Sequence, residues 1–112
     1  SSFNSVIAGS IFEDAKSGIP EAQFELGTMY IKGDGTKKDI NEAMKWIKLS
    51  ADQNYKLAQT ALGFAYYYGN PSVPQDLQKA INWFTKSATQ NDSAAQLYLG
   101  LIYVEGNGVE KK

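Results

Sequence analysis

The stretch at residues 22–33, AQFELGTMYIKG, returns as AQTALGFAYYYG at 58–69 and as AQLYLGLIYVEG at 95–106. Ala22, Gln23, Leu26, Gly27, Tyr30 and Gly33 hold the same residue in all three copies, and Ala15, Ala51 and Ala88 extend the match upstream. The copies are offset by 36 residues and then by 37. A fixed period of this length is the signature of a repeat architecture, in which one supersecondary unit is used several times over.

The period also covers the segments between the copies. Asp39 and Asp76, Ala43 and Ala80, Trp46 and Trp83, and Ser50 and Ser87 all pair at 37 residues. The additional residue sits between Gly69 and Asp76, in a stretch one residue longer than that from Gly33 to Asp39. Insertions collect in surface connections, so this is a loop and the flanking segments are the repeated elements.

Those elements have helical spacing. Ala22, Leu26 and Tyr30 recur at every fourth position, while Ala43, Trp46, Ile47, Ser50 and Ala51 follow the three- and four-residue steps of one helix face. Each unit therefore reads as two helices, A then B. Gly18, Asn54 and Asn91 fall where B helices end, and both residue types accept a left-handed cap. Pro20 suits the first turn of the next helix, where its missing N–H has no partner to lose. Asp39 with Glu42 has the pattern of a capping box; Asp76 keeps the cap, with Lys79 in place of the Glu.

The spacing predicts helices at about 3–16, 20–32, 40–53, 56–68, 77–90 and 93–104. The first is a degraded B helix at an edge, with Ile7 and Ile11 in the places of Ala43 and Ile47. The expected fold is all-α: a right-handed α-solenoid of antiparallel helix pairs with about 2.5 to 3 repeats. One domain over 1–112 would hold the leading helix, a first repeat at about 20–53, a second at 56–90 and a partial third at 93–112. The repeated Ala and Gly let paired helices approach, with Leu26, Tyr30 and Trp46 filling the space between them. On this reading Trp46, Trp83, Tyr30, Tyr66 and Tyr103 are structural.

The pattern A-x-x-x-L-G-x-x-Y-x-x-G, then Asp39, Ala43, Trp46 and Ala51, resembles the Sel1-like repeat (SLR) family, relatives of the tetratricopeptide repeats. Gly35 with Thr36, and Gly108 with Val109, match the family's turn, whereas Asn70-Pro71-Ser72-Val73-Pro74 departs from it. A plain tetratricopeptide array, with its period of about 34 residues, would need insertions in both units. The resemblance implies an adaptor or scaffold that holds other proteins, found in bacterial envelope, secretion and host-interaction settings and in eukaryotic quality-control complexes.

Composition narrows the chemistry. The 112 residues contain no Cys and no His, which removes thiolate sites, disulfides, the usual general base and the commonest metal ligand. Eleven Lys, with no Arg, oppose twelve acidic residues, so no basic stripe points to nucleic acid. Apolar runs are far shorter than the ~20 residues that cross a bilayer, and the sequence reads as a soluble piece with its compartment open. It starts at Ser1 without Met, as a piece of a longer protein would. The Gly33-Asp34-Gly35-Thr36-Lys37-Lys38 stretch lacks the terminus of a phosphate loop, and no spacing singles out two among Glu13, Asp14, Glu21, Glu25 and Glu42 as an acid–base pair. No enzyme activity and no cofactor are expected.

What remains is surface. By analogy with tetratricopeptide arrays the A helices line a concave groove, and the positions flanking the Leu-Gly pair are rich in apolar residues. Phe24, Ile31, Lys32, Phe64, Tyr67, Tyr68, Leu97, Leu101 and Val104 are the candidate groove residues. A contiguous exposed apolar patch marks a binding site. The expected function is a protein-interaction scaffold that takes a peptide or helix of a partner protein in this groove. Two competing expectations are that Phe24, Phe64 and Leu97 pack between A helices, and that the chain is a structural segment of a longer solenoid. Since Lys112 ends the sequence where another B helix would start, self-association through the C-terminal end is a further expectation.

Overall fold

The computed structural model describes residues 2–106, with the side chains of 2–5 excepted. The turn expected at Gly108 and Val109, and the rest of the third repeat to Lys112, lie outside the described residues. Six helices follow in order: α1 (Ser2–Lys16), α2 (Pro20–Lys32), α3 (Ile40–Asp52), α4 (Lys56–Tyr68), α5 (Leu77–Thr89) and α6 (Ser93–Glu105). The single extended pairing among the described residues is a short antiparallel bridge between Asn70 and Val73. The chain divides into two compact units, Ser1–Tyr55 and Lys56–Lys112.

The punctuation acts as its residue types dictate. Asn54 and Asn91 both take φ of 68°, in the left-handed region that Asn tolerates better than most residues, and Gly18 stands at the equivalent turn. Each turn is closed by the same backbone bonds, for example Tyr55 N–H to Ser50 O and Asp92 N–H to Ser87 O. Asp39 and Asp76 cap α3 and α5, accepting the N–H of Glu42 and Lys79 at 3.1 and 3.0 Å. The capping box itself is only half made. Glu42 turns its carboxylate to Lys45 at 2.8 Å, and the Asp39 N–H goes to Tyr30 O instead.

In the first unit α2 lies between α1 and α3. Ser50 Oγ donates to Pro20 O, Ile47 meets Gly27, and Asp39 N–H reaches Tyr30 O, so α2 and α3 run antiparallel. In the second unit Gln90 meets Gln59, Phe84 meets Gly63, and Asp76 N–H reaches Tyr66 O, the same arrangement for α4 and α5. The longer loop before Asp76 is absorbed locally: Asn70 Oδ1 accepts the N–H groups of Ser72 and Val73, both at 2.8 Å. Asp76 therefore arrives at Tyr66 O at 2.9 Å, the distance at which Asp39 reaches Tyr30 O.

The glycines make these pairs close. A Cβ at Gly27 would stand 2.5 Å from Ile47 Cγ1 and 3.1 Å from Ala43 O, and one at Gly63 would overlap the Phe84 ring. Ala15, Ala22 and Leu26 form one buried cluster of the first unit, with Ile11, Met29, Tyr30 and Trp46 around them, and Ala43, Ile47 and Ala51 of the same unit are buried as well. Ala80, Ile81, Phe84, Ala95 and Ile102 do so in the second.

The interior corrects the expectation about aromatic residues. Ile47 and Phe84 are the fully buried large side chains of α3 and α5, while the repeated Trp46 and Trp83 are half-buried. One helical step turns a side chain by about 100°, and it is the residue after each Trp that faces the glycine. Trp46 instead meets the edge of Phe12 at 6.3 Å, and its buried Nε1 has no partner among the described residues. Tyr30 and Tyr66 are half-buried, but Tyr103 is 55% exposed, because no helix among the described residues lies where α3 and α5 lie on α2 and α4.

Candidate interaction surface

The second unit gathers its aromatic residues at one place. Phe84, buried on α5, receives Phe64 of α4 edge-on at 5.4 Å, and Phe64 receives Tyr98 of α6 edge-on at 4.8 Å. Tyr67 stands edge-on to both Tyr98 and Tyr68, at 5.3 and 4.8 Å. The chain of contacts ends in solvent: Tyr68 is 62% exposed, and its hydroxyl is 2.8 Å from that of Tyr98. Edge-to-face geometry is favoured by the ring quadrupoles, so these rings hold one another in place. The bond to Tyr98, then partial desolvation, pushes the Tyr68 hydroxyl above the usual phenol value of 10.0. Tyr68 is therefore uncharged at neutral pH, and the two hydroxyls offer hydrogen-bonding groups on an otherwise apolar surface.

Phe64, Tyr67 and Tyr68 are thus brought together as one cluster. Leu97, Leu101 and Val104 lie along one exposed face of α6, Leu97 at 60% and Val104 at 79% exposure. Leu97 does not pack away between helices; Phe64 does, against Tyr98. In the first unit Phe24 is half-buried and leans on Tyr55, with ring centroids 5.7 Å apart. Phe24 and Lys32 line a cavity of about 340 Å³ between α1 and α2, together with Ile7, Ile11 and Met29. Ile31 is exposed and belongs to neither feature.

Tyr98 is the residue that the sequence reading passed over. It occupies the place of Glu25 and Ala61, which share no property with it, so no period marks the position. The signal available was the residue type itself, a tyrosine beside an apolar position of a short helix.

Among the described residues no group of three or more His, Cys, Asp or Glu could hold a metal ion. None of the described helices is long and apolar enough to cross a membrane.

Helix pairs of constant length, repeated with the same caps and the same glycine contact, define a helical repeat protein. The chain belongs to the Sel1 repeat family, whose model matches residues 20–55, 56–92 and 93–112. It is similar to two solved structures, each with a TM-score of 0.90. One is c5321, a protective antigen present in uropathogenic Escherichia coli strains that displays an SLR fold, at 36% identity over 96% of this chain and 23% of that one. The other is a Sel1 repeat protein from Oxalobacter formigenes, at 39% identity over 97% of this chain and 44% of that one. A putative sel1-like repeat-containing protein, L18, of Acanthamoeba polyphaga mimivirus is 57% identical over 42 residues, 38% of this chain and 7% of its own length. The chain thus spans less than half of each of the relatives it matches. These matches put it in the all-α class of SLR-fold proteins, a non-catalytic scaffold family whose members are generally protein–protein interaction modules.

Proposed function

We propose that the chain binds a peptide or helix of a partner protein through the outward faces of its A helices, chiefly the α4–α6 face of the second unit. The exposure of Tyr68, Leu97 and Val104 around a preset aromatic cluster carries this reading. Tyrosines supply large contact areas with few rotatable bonds, so little entropy is lost when they are covered. The bonded hydroxyls of Tyr68 and Tyr98 add polar direction, and the uncharged Tyr68 does so without the cost of desolvating a charge. Phe24 and Lys32, which line the cavity beside α1, and the exposed Ile31 offer further contacts in the first unit.

The test is selection of a random peptide library displayed on phage against the whole chain, followed by affinity measurement of the recovered peptides. Tyr68→Ala and Leu97→Ala each weaken those peptides by roughly 1 to 3 kcal/mol, the range for anchor side chains. Recovered peptides that bind both variants as well as the parent would move the site off this face.

A further inference from the structure

Tyr68 on α4 and Tyr98 on α6 lie 30 residues apart in sequence, yet their hydroxyls meet at 2.8 Å. The rings stand at 72° to one another with centroids 6.3 Å apart. In a phenol the carbons ortho to the hydroxyl flank it, so hydroxyls in contact also bring an ortho carbon of each ring toward the other. Dityrosine has the same arrangement: a C–C bond joins two ortho carbons, and the hydroxyls beside it face each other. Tyr67 touches both rings edge-on, but its hydroxyl is bonded to neither of theirs.

An oxidising radical finds few other targets on this chain. Cys, the usual sink, is absent. Trp46 and Trp83 are half-buried, whereas Tyr68 is 62% exposed. Tyr103 is also exposed, but its hydroxyl is bonded to no other tyrosine among the described residues. Tyr68 therefore combines access with a partner already in contact.

We propose that Tyr68 and Tyr98 form an oxidative modification site, at which a haem peroxidase acting with hydrogen peroxide joins α4 to α6 through a dityrosine cross-link. Tyr68 gives an electron to the oxidised haem and its O–H proton to water, which leaves a phenoxyl radical. A hydrogen atom then crosses the 2.8 Å bond from the Tyr98 hydroxyl to the Tyr68 oxygen. This moves the radical to the half-buried Tyr98 and restores Tyr68 for a second oxidation. The two phenoxyl radicals pair their electrons in a C–C bond between ortho carbons, and the hydrogen on each of those carbons moves to its own ring oxygen. Both hydroxyls are thereby restored. The pair has lost two electrons and two protons, and hydrogen peroxide takes them up as two molecules of water. The link ties two A helices together and restricts the unfolded chain as any cross-link between distant residues does. It needs no peptide on the α4–α6 face and stands whether or not that face binds one.

The test treats the dilute whole chain with a haem peroxidase and limiting hydrogen peroxide, then reads the monomer fraction by dityrosine fluorescence, intact mass and tryptic mapping. A monomer lighter by two hydrogen atoms is expected, with peptide 57–79 joined to peptide 87–111. Tyr68→Phe and Tyr98→Phe, which keep the rings and the helical circular dichroism, each lower this product at least tenfold. Tyr67→Phe and Tyr103→Phe leave it within about twofold of the parent. Dityrosine found only between chains, an intrachain product that survives Tyr98→Phe, or one lost with Tyr67→Phe each overturns the proposal, the last by making Tyr67 a coupling partner.

Discussion

Gln53 Nε2 donates to Gln23 Oε1 at 2.7 Å, while Gln23 Nε2 donates to Ala15 O at 3.2 Å. One buried amide thereby ties the end of α1 to the end of α3 across α2. Gln90 and Gln59 repeat the first bond, and Gln96 repeats the second with Ala88 O at 3.4 Å. Gln23 donates and accepts at once, which neither a Glu carboxylate nor Leu can do. Gln23→Ala removes the side-chain bonds to Ala15 O and from Gln53 Nε2 at a buried position and lowers stability by about 1–3 kcal/mol. Gln96→Ala, at an exposed position, stays within about 0.5 kcal/mol of the parent. Urea unfolding of the two variants checks the contrast.

The three repeated glycines separate in the same way. Adding a methyl group gains about 1 kcal/mol of helix propensity at any of them. At Gly63 it must also displace the Phe84 ring, whereas at Gly100 it meets nothing. Gly63→Ala is therefore less stable than Gly100→Ala by about 1–3 kcal/mol, the cost of overpacking a filled site. Thermal melts of the pair read the difference, and equal Tm values would contradict the tight crossing of α4 and α5.

Most of the fold was legible because the repeat carries its own punctuation. Pro20, Asp39, Asp76 and the turn residues Gly18, Asn54 and Asn91 fixed the helix limits to within a residue of those observed. Identity between copies was a poorer guide to burial. Trp46 and Trp83 repeat but are half-buried, whereas Ile47 and Phe84 differ and fill the interior. A position that must only be bulky against a glycine tolerates either shape, so it leaves no repeated letter. The surface was legible only at the positions assigned to a groove by analogy: Tyr67 and Tyr68 were found, and Tyr98, which completes their cluster, was not.

Phe84→Ala costs about 3–5 kcal/mol, since a fully buried ring is removed from between helices. Trp46→Phe behaves differently. The buried indole N–H, without a partner among the described residues, is a standing cost of about 1–3 kcal/mol that Phe does not have. Part of the lost ring contact is offset by its removal, and the variant unfolds within about 1 kcal/mol of the parent. A loss as large as that of Phe84→Ala would show that the indole ring, rather than Ile47, holds α3 in place.

Alkaline titration tests the Tyr68–Tyr98 pair. Because the Tyr98 hydroxyl holds Tyr68 above its ordinary 10.0, the fold favours the protonated phenol. A group with a raised folded value contributes its stability in full below the ordinary value and loses it as pH rises through the folded one. The pair therefore supports the second unit at neutral pH and ceases to do so above pH ~10. Tyr98→Phe removes the partner and should lower the Tyr68 midpoint toward 10.0, read by phenolate absorbance near 295 nm against a Tyr68→Phe control. The Tm of the parent relative to Tyr98→Phe should fall through the same alkaline window and stay constant from pH 6 to 9. A parent whose tyrosines all titrate with the midpoint seen in the Tyr98→Phe variant would show that the two hydroxyls do not meet in solution.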